Sequence, residues 1–156
     1  MKKGVSMHFK KFLIILSAFL LILGGSVSAE DTEDIESTEE ILEGLLEGNL
    51  YETDFTALVT YQKIKVADSF GGYKVLQHDC SVLEIYKGND RKDITFFHMV
   101  DADMADNVIS KKQGKTYIVS LSRDETASHY HMGDNGYEIP GEERYIRFAK
   151  TLKAKL

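Results

Sequence analysis

The sequence predicts a mainly β domain: a small five- to six-stranded barrel with a short N-terminal helix and a C-terminal helix. Three observations lead there. From Thr53 onward the apolar residues alternate with a period of two, in several short runs separated by Gly, Asn and Asp. The second run, Tyr73 to Tyr86, changes its apolar face near Val82-Leu83. Such a swap requires a bulge or strong bend, as strands that close a barrel have. At both ends of this region the period becomes helical.

The 156-residue chain opens with a leader. Residues 1–29 hold Lys2, Lys3, Lys10 and Lys11, an apolar run from Phe12 to Leu23, and the small residues Val27 and Ala29 before Glu30. A basic head, a short apolar stretch and a small-residue cleavage site are the marks of a secretory signal peptide. The apolar run is shorter than the roughly 20 residues that a membrane span takes. Cleavage after Ala29 is expected, with an extracytoplasmic destination, secreted or periplasmic, and no stable membrane span afterwards. Four of the 19 basic residues and none of the 25 acidic ones lie in the leader, which leaves residues 30–156 strongly acidic. That balance argues against nucleic acid, whose binding rests on phosphate neutralisation.

Residues 30–50 read as an acidic linker and a short helix, and 51–156 as the barrel domain with its C-terminal helix. Glu30 to Asp34 looks like a solvated linker. Ser37-Thr38-Glu39-Glu40 has the form of a capping box, and Ile41, Leu42, Leu45 and Leu46 follow at helical spacing. A helix over about 38–47 is expected, stopped by Gly48-Asn49. The first strand runs from Thr53 toward Val66, and Asp68 to Gly72 reads as a loop. Tyr73 to Tyr86 is the second strand. Lys87-Gly88 and Asn89-Asp90 turn the chain into a third, Asp93 to Met99. Asp101 to Lys112 is a short helix or an irregular excursion. Thr116 to Ser122 is the fourth strand and His129 to Met132 the fifth. Gly133 to Gly136 is a tight turn returning through Tyr137-Glu138-Ile139. Pro140 suits a helix start, and Tyr145, Phe148, Ala149, Leu152 and Leu156 follow at helical spacing, with Arg147, Lys150, Lys153 and Lys155 on the polar face.

The order of these segments resembles the small secreted OB-fold domains related to the tissue inhibitors of metalloproteinases and the netrin-like modules, in their exported bacterial versions. The resemblance is carried by Ala57-Leu58-Val59, by the long second strand ending in Glu84-Ile85-Tyr86-Lys87-Gly88, and by Asp93-Ile94-Thr95-Phe96. Gly114-Lys115-Thr116-Tyr117-Ile118-Val119-Ser120-Leu121 follows, then Tyr130 to Gly133 and Gly136 to Ile139. It covers residues 53–140 and implies an OB-like barrel. The animal inhibitors chelate a protease zinc with a free N-terminal cysteine and are held by several disulfides. Here the expected N-terminus is Glu30 and Cys80 is the lone cysteine, so the resemblance implies a fold and not protease inhibition.

The chemistry-bearing motifs are few. Lys87-Gly88 is no phosphate loop, because Lys precedes Gly and a strand, not a helix, follows. It reads as a hairpin corner. No Gly-x-Ser-x-Gly elbow exists, and no base is placed against Cys80, which reads as a buried thiol or a point of mixed-disulfide formation. Tyr73, Phe96, Phe97 and Tyr117 are candidate stacking rings but read as core. His129 and His131 are the candidate metal ligands. Alternate strand residues share a side, and zinc or copper would draw further donors from His98, Asp101, Asp103 or Asp134. The leading expectation is an exported, non-catalytic binding domain. Its partner is a protein or another envelope component, met by the segments 67–72 and 101–113. A divalent-metal module on His129 and His131, and a small extracytoplasmic hydrolase, are the alternatives.

Overall fold

The structure is a computed structural model that describes residues 32–124, 126, 129–133 and 135–156. The expected leader and its expected cleavage after Ala29, and the candidate ligand Asp134, lie outside the described residues. The chain forms two compact units, residues 1–42 and 43–156. Of the first, helix α1 is the described part; it spans Thr32–Glu52 and runs on into the second.

Helix α1 is longer than the expected 38–47. The acidic stretch expected as linker is helical from Thr32. At the other end Gly48-Asn49 does not stop it. Leu46 and Leu50, one turn apart, are fully buried, and the Asn49 side chain donates to the Gly136 carbonyl at 2.8 Å. Tertiary burial overrides the local stop signal. The helix ends where Thr53 takes over the Asn49 carbonyl, with its amide at 3.0 Å and its hydroxyl at 2.7 Å.

Six strands follow: β1 Phe55–Phe70, β2 Tyr73–Lys87, β3 Asp93–Asp101, β4 Thr116–Arg123, β5 Tyr130–Met132 and β6 Glu138–Pro140. Helix α2, Ala105–Lys112, lies between β3 and β4, and α3, Glu143–Lys153, closes the chain. The sheet order is β1-β2-β3-β5-β4, with β4 pairing back to β1 and β6 added outside β4. This is a closed, OB-like five-stranded barrel. The β3–β5 pair is parallel, and every other pairing is antiparallel.

The inward residues alternate along each strand, as the period of two requires. Phe55, Ala57, Val59 and Tyr61 of β1 meet Leu76 and Cys80 of β2, Ile94 and Phe96 of β3, and Val119 and Leu121 of β4 in one buried core. Outside the barrel, Leu58, Ile118 and Ile139 pair across β1, β4 and β6 and are also buried. The helices bury apolar residues too: Tyr145, Ala149 and Leu152 of α3, and Leu46 and Leu50 of α1.

The face swap in β2 is a bulge. Val59 pairs with Val82 and Leu58 with Glu84, so Leu83 is skipped and stands exposed. Val82 and Ile85 thereby both pack against the core, three residues apart. Lys87-Gly88 is the expected corner. Gly88 has φ +105°, and a Cβ there would lie 2.6 Å from Cδ2 of Phe55. Lys87 donates to the Tyr51 carbonyl at 3.1 Å, which ties the corner to the end of α1.

Three expectations are corrected. The loop expected over 68–72 is only Gly71-Gly72; both have positive φ, as a two-residue hairpin turn of matching twist needs. Tyr137 to Ile139 does not return onto β5. A 3-10 turn at Asn135–Tyr137 carries the chain past it, and β6 pairs with β4, where Ile139 meets Ile118. Pro140 is the last residue of that edge strand, opposite Tyr117, not a helix start. Helix α3 begins at Glu143, and Leu156 lies beyond it, exposed.

Candidate binding face and barrel interior

The ladder registers of β1, β2, β3 and β5 put a set of side chains on the outer face of the barrel wall. Phe70, Tyr73 and Asp101 form one cross-strand row; Asp68, Val75 and Met99 the next; Lys65, Gln77, Phe97 and His131 the third. Phe70, Tyr73 and Met99 expose 52, 43 and 53 % of their surface. Below them Asp79 accepts from Gln77 Nε2 and Thr95 Oγ1, each at 2.9 Å. The Gln77 bond first, and then Thr95, hold its carboxyl below the usual range.

The segments 67–72 and 101–113 come together at one end of this face. The Ala102 amide donates to the Gly72 carbonyl at 2.9 Å, and Tyr73 pairs with Asp101. Beside this junction Tyr73, His98, Met99, Val100, Asp101, Met104, Val108 and Gly133 line a pocket of about 200 Å³. Met104 is 43 % exposed at its mouth.

His129 and His131 lie on the same outer face, around Phe97. His131 pairs with Phe97 through β5. The His129 ring meets the Phe97 ring edge-on at 5.0 Å between centroids. His98, by contrast, points into the barrel, while Asp101 and Asp103 are exposed near the pocket. The structure therefore separates His98 from His129 and His131. Among the described residues no group of three or more His, Cys, Asp or Glu is arranged to hold a metal ion. Of the candidate stacking rings, Phe96 is core and Tyr117 packs against it, whereas Tyr73 and Phe97 reach the outer surface.

The interior holds a polar cluster that sequence reasoning missed. Tyr61 Oη donates to Glu138 Oε1 at 2.6 Å, and Lys112 Nζ bonds Glu138 Oε2. The Glu138 side chain is 4 % exposed. Burial above all, and then the neighbouring Glu138 carboxylate, push the Tyr61 hydroxyl well above its ordinary value. His78 and His98, from adjacent strands, lie beside this cluster with ring centroids 6.0 Å apart. His78 stacks on Phe96 at 4.7 Å. Burial takes His78 down to about 3, helped by the charges of His98 and Lys112. It takes His98 down to about 4, helped by Lys112. Both imidazoles are neutral at pH 7. Both nitrogens of His78 and Nδ1 of His98 are buried without a protein hydrogen-bond partner, the kind of group that an internal water satisfies. Cys80 is a free, buried thiol pushed up by burial first and then by Asp79 and Glu138, the opposite of an activated nucleophile.

The only sequence signal for this cluster was the parity of β2 and β3, which places His78 and Cys80, and His98, on the inward side. Glu138 and Tyr61 are separated by 77 residues, and no local pattern links them. Tyr61, Glu138 and Lys112 are bonded to one another inside the barrel, while His98 also lines the pocket from its inner side. The accessible chemistry lies on the outer face. Neither the scan against protein-family models nor the search of curated proteins found a match for the chain.

Proposed function

We propose that the chain is an exported, non-catalytic binding module whose partner is a protein of the cell envelope or its surroundings. One observation carries the reading. Two segments apart in sequence, 67–72 and 101–113, meet and leave Phe70, Tyr73, Met99 and Met104 exposed around a pocket. Large apolar side chains gathered on a soluble domain's surface mark interaction sites, whereas single scattered ones do not. Methionines suit such a surface because their flexible thioethers adapt to a partner. The basic, apolar leader ending at Ala29 supports export.

The test is a photo-crosslinking residue placed at Met99 in the protein expressed in its own cells, with Leu83, equally exposed on β2's bulge, as the control position. A discrete crosslinked product from position 99 and none from 83 is expected. The same products from both positions, or none from either, would overturn the binding reading. N-terminal sequencing of the processed protein should begin at Glu30, and a start at Met1 or Met7 would refute cleavage after Ala29.

A further inference from the structure

The pocket beside Tyr73 has a composition that specifies its occupant. Val100 and Val108 form its buried wall, and Tyr73, Met99 and Met104 its exposed apolar mouth. A dry cavity of about 150 Å³ is enough to take up benzene, so a pocket of about 200 Å³ has room for one Leu, Met or Phe side chain. Among the described lining residues Asp101 is the one acidic or basic side chain besides His98. Asp103 stands exposed on the turn between β3 and α2, and Asp106 on the first turn of α2, on either side of Met104. Lys74 pairs with Val100, and Lys111 and Lys112 stand on the last turn of α2, where Glu138 takes up Lys112. Three carboxylates thus stand around the mouth against Lys74 and Lys111, in a chain already strongly acidic. Such a field repels acidic partners and draws basic ones.

We propose that the pocket takes a single apolar side chain of a basic polypeptide segment, with the flanking Lys or Arg residues of that segment held by Asp101, Asp103 and Asp106. The inference rests on the binding reading above and gives it a partner chemistry. A buried apolar anchor ringed by charge is the arrangement in which a few residues carry most of an interface's affinity. The apolar anchor supplies residence time, and the acidic rim supplies steering and selectivity against acidic or neutral segments.

The experiment is titration of the isotope-labelled protein, followed by amide chemical shifts, with three short capped peptides of sequence KKLKK, KKGKK and EELEE. At low salt KKLKK binds at least tenfold more tightly than the other two, and its shift changes centre on residues 99–108. D101K together with D103K weakens KKLKK at least tenfold and flattens its salt dependence. M104K does so as well; both variants change exposed side chains, and unchanged thermal midpoints verify their folds. Equal affinity for KKGKK would reduce the site to charge alone and overturn the proposal. Equal affinity for EELEE, or binding untouched by M104K, would do the same. If the crosslink at position 99 forms while KKLKK does not bind, the partner chemistry fails and the binding reading stands; if neither appears, both fall.

Discussion

Acidification from pH 7 to 5 should weaken the fold through the two histidines inside the barrel. His78 and His98 have folded values of about 3 and about 4, against about 6.5 for an unfolded chain. Between those limits the unfolded chain binds protons that the folded chain refuses. Stability therefore rises with pH across roughly pH 3 to 6.5, and falls on acidification. At pH 5 nearly every unfolded copy is protonated at both positions and nearly every folded copy at neither. Each histidine then costs about 2 kcal/mol relative to pH 7, and the pair about 4 kcal/mol. With an m-value of about 2 kcal/mol/M the urea midpoint should drop by about 2 M. Urea melts at pH 7, 6 and 5 measure it. His78→Leu should remove about half of the drop, because an apolar side chain of similar size replaces two unsatisfied nitrogens. The double variant H78L/H98L should flatten the profile. A wild-type midpoint that moves by less than about 0.5 M between pH 7 and 5 would refute the reasoning, as would equal slopes in wild type and variants.

Further outcomes concern the corner, the interior cluster, α1 and the thiol. Gly88→Ala places a side chain at φ +105° and against Phe55. It should cost about 2–3 kcal/mol in chemical denaturation, and a change under 0.5 kcal/mol would contradict the close approach. Tyr61→Phe removes one donor from Glu138 and should cost about 1–2 kcal/mol. Glu138→Gln leaves the Lys112 ammonium without its carboxylate and should cost more, about 3 kcal/mol; the reverse order in thermal melts would exclude the pairing. Leu50→Ala, at a fully buried position of α1, should cost about 2–5 kcal/mol, whereas a neutral effect would mean that the end of α1 does not pack. Cys80 should resist a thiol reagent in the native protein and react on unfolding, because burial closes it off and pushes its thiol up; rapid native reaction would refute its burial.

Local rules read well where local physics decides. The Lys87-Gly88 corner was legible because Gly and polar residues separate two alternating runs. The bulge at Leu83 was legible because the face of β2 cannot change without an extra residue. The sequence marked 67–72 and 101–113 as contact segments but did not bring them together, because the Ala102–Gly72 bond that joins them depends on the register of β2 with β3. The length of α1 was misjudged because its last turn is held by distant residues: Leu50 is fully buried, and Asn49 bonds Gly136. The partner of β6 was misjudged for the same reason: a Gly-rich turn after β5 looks like a hairpin, yet Ile139 is buried on the row of Leu58 and Ile118.

The sequence by itself determined the class of this domain, since strand period and turn residues are encoded over a few neighbouring residues. Tertiary structure alone decided which strand β6 joins, that Tyr61, Glu138 and Lys112 lock together inside the barrel, and that His129 and His131 sit around Phe97 on the outer face while His98 turns inward. These outcomes depend on how distant segments are brought side by side, and a one-residue difference in register would send each of those side chains to the other face.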